Sequence, residues 1–473
     1  MFEFSATYTD HYELTMGQAY FLAGQKDVLA VFDYFFRKNP FEGGYAIFAG
    51  LLDLLAVLEA FRFDKEDLRF LKEQSFDPDY LTYLENFRFK GTVYSPPEGD
   101  LVFPTRPVLR VEGNLIETQL IETVLLNILN FQSLIATKAS RMRLVAKDRM
   151  LIDFGLRRAQ GPGGYYASRA AVIGGFDATS NARAARDYNL QPSGTMAHSY
   201  IESYESEIDA FRSFAAARPN DCVLLVDTYN TLYSGVPNAI IVAKEMERKG
   251  QRLKGIRLDS GDLSYLAQKC RAMLDEAGLS YVRIAASNQL DEYVIRSLMD
   301  QGAPIDAFGV GTSVVTGQPD AALDGVYKLA KAGGHPVIKL SENISKITLP
   351  DKKQVWRAID NEGLFLGADV VGLEDETGPV EIHHPFFPHQ SCVIKTKETE
   401  PLLHPVMVRG KIVYDPPSLP QTAQYARERL KMLPAAYKRF ENPHIYKVGI
   451  SSMLKTLRDR LIDQHKKYPT QLY

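Results

Sequence analysis

VLLVDTYNTLYSGVPNAIIVAKEMERKGQRLKGIRLDSGDLSYLAQKCRAMLDEAG, residues 223–278, decides the fold. Two short apolar runs, VLLV (223–226) and GIRL (255–258), each close on an aspartate, Asp227 and Asp259. After each comes a stretch with helix punctuation. VPNAIIVAKEMERKG (236–250) has proline near its start and glycine at its end, and DLSYLAQKCRAMLDEAG (262–278) runs from aspartate to glycine. Strand, turn, helix and turn make a β-α unit, and here it occurs twice. Working outward, the same pattern begins near residue 150. Its apolar runs end near Asp153, Asp177, His198, Asp227, Asp259, Ser287 and Gly311, with gaps of 24, 21, 29, 32, 28 and 24 residues. Each gap is about the chain that one unit needs. Seven consecutive units predict an α/β barrel rather than an open doubly wound sheet, with chemistry at the C-terminal ends of the strands. Aspartate and glycine after a strand are also plain turn formers. That reading weakens because so many successive strand ends carry charged, histidine or glycine residues.

The flanks read differently. In residues 1–140, LLDLLAVLEAF (51–61) and DKEDLRFLKEQ (64–74) have helical spacing, whereas GTVYSPPEGDLVFPTRPVLRVEG (91–113) predicts short strands joined by turns. Residues 116–147 form one long helical pattern. The chain is therefore expected to divide into a mixed α+β domain (1–140), the barrel (141–330), an irregular strand-bearing segment (331–418) and a helical tail (419–473). The tail's basic end, KTLRDRLIDQHKK, reads as a solvated helix. EIHHPFFPHQ (381–390) gathers His383, His384 and His389 without an assigned role.

Composition narrows the class. With 45% apolar and 24% charged residues the 473-residue chain is ordinary globular protein, about three domains long. Its 55 basic and 58 acidic residues leave a net charge of −3, which implies neither a nucleic-acid nor a membrane-surface partner. An anionic ligand must then be held by local clusters. Three dispersed cysteines, without CxxC, predict neither a disulfide framework nor a cysteine zinc site. No apolar run approaches the ~18 residues of a membrane helix. The opening MFEFSATYTDHYELT has neither signal-peptide nor transit-peptide character, so a cytoplasmic enzyme is expected.

The candidate chemistry sits at the strand ends. IDFGLRRAQGPGG (152–164) supplies Phe154 and Arg157, and a guanidinium fork suits carboxylate or phosphate. GTMAHSY (194–200) supplies His198, which is expected to face Asp227 across neighbouring strands about 4.8 Å apart. A carboxylate on one imidazole nitrogen makes the other a better nucleophile. GIRLDSGDL (255–263) places Arg257 and Asp259 on one face of a strand. ASNQLDE (286–292) adds Ser287. FGVGTSVVTG (308–317) adds Gly309, Gly311 and Thr312 as a turn able to cradle a phosphate. No GxxxxGK[ST], GxGxxG or HExxH motif is present. The set suits a phosphorylated sugar substrate.

TDHYELTMGQAY (9–20), YFFRKNP (34–40), GGYAIFAGL (43–51), DFGLRRAQG (153–161), GTMAHSY, VDTYNT (226–231), RLDSGDL and FGVGT together resemble the nicotinate phosphoribosyltransferase family. The resemblance implies a type II phosphoribosyltransferase: an irregular α/β barrel, and a mixed domain to which the post-barrel segment returns. It implies a homodimer with shared active sites. The implied reaction joins nicotinic acid to 5-phosphoribosyl 1-diphosphate in NAD salvage. It is an ATP-coupled ligase reaction through a phosphohistidine, with Mg²⁺ accompanying the diphosphate. His198 matches the phosphorylated histidine, Asp227 its supporting carboxylate, and Arg257 and Asp259 the pair facing the ring substituent and the ribose. Phe154 matches the aromatic stacked on the pyridine ring, with Tyr12 of the partner subunit on the other face. Arg157 and Arg37 match phosphate and diphosphate contacts, and Gly309, Gly311 and Thr312 the 5′-phosphate loop. No protein ligand for the metal is assigned. Alternatives are a nicotinamide- or quinolinate-using phosphoribosyltransferase and a non-catalytic sensor of phosphoribosyl ligands. The nicotinamide relative carries an acid after the strand that here reads GGFDATSN (174–181). This chain has Thr179 and Ser180 there, with Asp177 slightly earlier.

Overall fold

A computed structural model describes residues 4–341, 346–378, 381–387, 389–396 and 398–465. The chain forms two compact units, one of residues 135–321 and one of residues 1–134 with 322–473.

The first unit carries six parallel strands: β1 (Met150–Asp153), β2 (Ala178–Thr179), β3 (Val223–Leu225), β4 (Gly255–Leu258), β5 (Arg283–Ser287) and β6 (Ala307–Val310). They pair in the order β2-β1-β6-β5-β4-β3. Helices Gly163–Ile173, Val236–Arg248, Leu263–Glu276 and Glu292–Asp300 alternate with them. Two of these helices start on aspartates placed to cap them. Asp262 accepts the Tyr265 N–H at 3.0 Å, and Asp291 accepts the Tyr293 and Val294 N–H groups at 2.9 and 2.8 Å. The alternate strand residues Leu224, Ile256, Leu258, Ile284 and Phe308 are fully buried. Each such side chain contributes roughly 1.5–3 kcal/mol of hydrophobic stabilisation.

Two expectations change here. The seventh strand, expected to end at His198, is absent. Residues 188–197 form no strand, Pro192 makes one isolated parallel bridge to Thr179, and His198 instead opens the helix His198–Glu202. QPSG (191–194) puts a proline and a glycine where a ladder needs N–H donors and packed side chains. The ladder stays open between β2 and β3, so the barrel is irregular. Asp177, in turn, precedes β2 rather than ending it. Its carboxylate accepts the Leu151 N–H at 2.8 Å and pairs with Arg143 at 2.5 Å, at the N-terminal end of the strands.

The second unit holds two larger sheets. One runs His335–Pro336, Gly325–Ala332, Leu29–Phe36, Leu109–Asn114, Thr92–Ser95, His404–Val408, Lys411–Ile412. The other runs Ser391–Val393, Glu381–His383, Lys447–Ile450, Phe365–Leu373, Lys353–Ile359, Glu398–Pro401. Segments from both ends of the sequence thus share one sheet. The described part of the C-terminal segment is not a solvated tail; its last residues, 466–473, lie outside the described residues. Lys447–Ile450 pairs in parallel with Phe365–Leu373, and the helix Ser452–His465 buries Leu454, Arg458 and Leu461. The spacing of Leu454 and Leu461 gives that basic helix an apolar side, which its charge count conceals. His384 is a turn residue, its Nδ1 accepting the Phe386 and Phe387 N–H groups at 3.0 and 3.1 Å.

A buried ionic cluster ties these segments together. Arg357 reaches Asp369 at 3.0 Å and Asp100 at 2.9 Å, Arg106 reaches Asp369 at 2.8 Å, and Arg429 reaches Asp100 at 2.8 Å. The Tyr446 hydroxyl donates to Asp369 at 2.8 Å. Burial alone would raise the Asp100 pKa, but Arg357 and Arg429 hold it below the usual carboxylate value. Removing one partner strands buried charge and costs about 3–5 kcal/mol. Asp369→Asn is therefore expected to lower the unfolding free energy by that much, read from denaturant titration. Breaking the exposed Arg69–Glu66 pair with Glu66→Gln should change stability by less than about 1 kcal/mol. Equal effects in an equilibrium melt would show that the cluster has no special role.

Candidate active site

The turn after β1 sets the first wall. Asp153 is buried. One carboxylate oxygen accepts the Gly155 N–H at 2.8 Å, and the other accepts the Ser168 and Thr179 hydroxyls at 2.7 and 2.8 Å. Burial raises its pKa while these three bonds oppose the rise. The turn is thereby fixed to a helix and to β2. Phe154 between them donates its N–H to the Val310 carbonyl at 2.8 Å. Its ring lies against Gly309, where an added Cβ would come within 2.4 Å of two ring carbons.

A second wall comes from β3, β4 and the helix at His198. Val226 donates to the Arg257 carbonyl at 3.2 Å, which carries the chain after β3 alongside β4. Asp227 therefore reaches over the end of β4. One oxygen accepts the Asp259 N–H at 2.8 Å and the Ser260 hydroxyl at 2.6 Å, while the other is buried without a hydrogen-bond partner among the described residues. His198 was expected to face Asp227. Instead its Nδ1 lies 3.1 Å from the Thr228 hydroxyl, and its Nε2 lies 3.8 Å from Asp259. The difference follows from its place on a helix rather than on a strand adjoining β3. Asp259 also accepts the Ser287 hydroxyl, so that serine, buried at the end of β5, is committed to the carboxylate.

Arg257, on β4, reaches the chain that leads into His198. It donates to the Thr195 hydroxyl at 2.6 Å, and its Nε is buried without a hydrogen bond among the described residues. Burial lowers its pKa; Asp259 and Asp227 oppose that, and the Arg157 charge adds to it. Phe154, Ser180, Thr195, Arg257 and Gly309 line one end of a cavity of about 980 Å³. Arg157 is exposed on the turn beyond Phe154. Gly311 and Thr312 follow β6, with Thr312 exposed at the first position of the helix Thr312–Thr316. Tyr12 and Arg37 belong to the other unit. Tyr12 is 47% exposed on the helix His11–Leu22. Arg37 follows the strand Leu29–Phe36, with its Nε buried and lacking a hydrogen bond among the described residues. Sequence reasoning missed Thr195 and Thr228. Both lie inside stretches already singled out, GTMAHSY and VDTYNT, but a threonine beside a histidine or aspartate carries no signal of its own.

Three family models account for almost the whole chain. The nicotinate phosphoribosyltransferase N-terminal domain matches residues 7–130, the nicotinate phosphoribosyltransferase family 150–362, and the C-terminal domain 352–458. A nicotinate phosphoribosyltransferase of Bacillus subtilis is 42% identical over 456 residues, covering 94% of this chain and 92% of that protein. The chain belongs to the nicotinate phosphoribosyltransferase family. The Bos taurus nicotinate phosphoribosyltransferase is 36% identical over 516 residues, covering 96% of each chain. The crystal structure of human nicotinic acid phosphoribosyltransferase superposes with a TM-score of 0.86 at 32% identity, over 96% of this chain and 99% of the human one. A nicotinate-nucleotide pyrophosphorylase from Pyrococcus furiosus, TM-score 0.72 at 24% identity over 90% of this chain and 95% of its own, shares the fold. In this nicotinate phosphoribosyltransferase family member the expected residues of the barrel unit all come from C-terminal strand ends or from the connections after them. Among the described residues no group of three or more His, Cys, Asp or Glu could hold a metal ion, and no helix is long and apolar enough to cross a membrane.

Proposed function

We propose that this member of the family couples its reaction to ATP through a phosphohistidine at His198, in a homodimer with shared sites. The reaction itself follows from membership: nicotinic acid and 5-phosphoribosyl 1-diphosphate give nicotinate mononucleotide and diphosphate. The observation that carries the substrate assignment is Arg257, set in the cavity beside Phe154. Ser180 lines the same end, and Asp177, the nearest acid in that stretch, is held by Arg143 at the opposite end of the strands. A carboxylate-bearing ring finds a cation there, and an amide finds no carboxylate from that segment. The reading places the ring against Phe154, its carboxylate on Arg257, and the ribose by Asp259. Arg157 and Arg37 would contact phosphate and diphosphate, and Gly309, Gly311 and Thr312 the 5′-phosphate.

An anomeric centre that loses diphosphate passes through an oxocarbenium-like state, which a nearby carboxylate such as Asp259 stabilises. Mg²⁺ is a hard cation that takes oxygen ligands. Among the described residues Asp227 has an oxygen without a hydrogen-bond partner that would hold it, and substrate oxygens would supply further ligands. Bound there, the ion would neutralise charge on the departing diphosphate. For the ATP half-reaction, Thr228 at Nδ1 orients the imidazole, and Nε2 is the nitrogen that would accept the γ-phosphoryl group as ADP leaves. Asp227 then acts on His198 indirectly, by fixing Asp259.

Three outcomes test this reading. A charge-assisted hydrogen bond is worth ~1.5–3 kcal/mol, so Arg257→Gln is expected to lower kcat/KM for nicotinate roughly ten- to a hundredfold. Product analysis should show little change in any residual nicotinamide use; an equal loss for both would make Arg257 a phosphate contact. Incubation with γ-labelled ATP should give an acid-labile, base-stable label on the wild-type chain. Equal labelling of His198→Ala would sink the phosphohistidine. Tyr12 is expected to stack on the partner's ring, an interaction worth ~0.5–1.5 kcal/mol beyond area burial. Mixing Tyr12→Ala and His198→Ala chains should therefore restore roughly a quarter of wild-type sites, from twofold symmetry alone. Activity no higher than the mean of the parents, with exchange verified, would place Tyr12 in its own subunit's site.

A further inference from the structure

A barrel of parallel strands ordinarily fills its interior with layers of valine, isoleucine and leucine. Here four inward positions carry almost no side chain: Gly255, Ala285, Ala307 and Gly309 all line the 980 Å³ cavity. Their neighbours in the same strands, Ile256, Ile284, Ala286 and Phe308, are completely buried. Ala285 and Ala307 are paired in register, and both remain partly exposed inside the unit. The interior is therefore hollow, and the hollow does not stop beneath Phe154. It continues to the N-terminal ends of the strands, where its lining is Arg218, Arg252, Lys254, Arg283, Asp221 and Asp306. From Met150 to Phe154 this is ~13 Å of extended chain at ~3.3 Å per residue.

The far mouth is basic on a chain whose net charge is −3. Asp221 is shared by Arg218 and Lys254, and Asp306 lies 3.7 Å from Arg149. Arg252 lies 4.9 Å over the Tyr281 ring. Neither Arg252 nor Arg283 has a carboxylate within ion-pair distance among the described residues, and both are exposed. One sign of charge around a concave opening concentrates small counter-ions and raises their on-rate. Arg257 stands further in, opposite Ala285 in the register of β4 and β5, so a carboxylate passing inward meets a second cation next to the Phe154 ring.

We propose that the hollow barrel is a conduit, and that nicotinate enters and leaves through its floor, steered by Arg252 and Arg283, while the phosphorylated substrate uses the opposite mouth. A ribosyl diphosphate held over Asp259 and Gly311 would cover that opposite mouth; the floor then remains the free path to Phe154. The proposal rests on the family's use of nicotinate and is independent of the phosphohistidine.

The test uses the full chain in steady state with nicotinate and 5-phosphoribosyl 1-diphosphate at low and physiological ionic strength. Arg252→Glu with Arg283→Glu is expected to lower kcat/KM for nicotinate about tenfold at low salt, the lower end of steering effects, and to flatten its salt dependence. The kcat value and the KM for the diphosphate substrate should hold. Separately, Ala307→Phe, which plugs the hollow below Phe154, should lower kcat/KM for nicotinate at every ionic strength while binding of the diphosphate substrate, read by calorimetry, is kept. If the plug variant does not fold, the charge pair still decides, because both its positions are exposed. Wild-type kcat/KM and salt dependence in the charge pair, or an equal loss for both substrates, overturns the conduit. An unaltered chain that turns over no nicotinate would overturn the activity instead, and that result is read before either variant is made.

Discussion

The Phe154 ring and residue 309 compete for space: a side chain larger than hydrogen at Gly309 would press its Cβ to within 2.4 Å of the ring. That exclusion sets the site. Asp153 clamps the turn from below through three hydrogen bonds, and the Val310 carbonyl fixes the Phe154 backbone from the neighbouring strand. The ring has one place to go, at the end of a cavity kept open by small residues. A packed interior would have given a more stable barrel, since each buried aliphatic side chain adds roughly 1.5–3 kcal/mol. The hollow forgoes that stabilisation and gains a chamber with an aromatic wall and a cation.

The two carboxylates at the rim show how hydrogen bonding divides labour between chemically identical groups. Asp227 is drawn over β4 by the course of its own strand and spends one oxygen on Asp259 and Ser260. Asp259, fixed from behind by Asp227 and from the side by Ser287, is the acid that faces His198. A serine or asparagine at position 227 could keep part of this geometry but would remove a negative charge beside Arg257.

The other unit solves a different problem. Its two chain segments are separated in sequence by residues 135–321, so bringing them together costs loop-closure entropy. Shared sheets and the Arg106–Asp369–Arg357–Asp100–Arg429 cluster offset that cost. Buried ion pairs add little net stability over apolar packing, but breaking one partner is expensive. The cluster thus penalises any pairing of the segments that leaves one of its charges unpartnered.

Much of the barrel unit was legible in residues 223–278 alone. Aspartates that cap helices, prolines in first turns and apolar runs of strand length act on neighbours within a few residues, so their spacing specifies β-α units without reference to the rest of the chain. Arg257 and Asp259 were placed together for the same local reason. Four features escaped: the missing seventh strand, the partner of His198, the hollow interior and the buried side of the helix Ser452–His465. The first was written in QPSG, but one proline in a run of candidate strands does not say whether the ladder will tolerate it. The imidazole could have met either of two acids 32 residues apart, and the choice followed from the helix that begins at His198, which sets its Nε2 3.8 Å from Asp259. Sequence by itself determined the periodic elements, the order of units and the residue types available at the rim. Only the tertiary structure decided which carboxylate meets His198 and whether the barrel closes over its own core, because both depend on distances between segments remote along the chain, where local propensity has no reach.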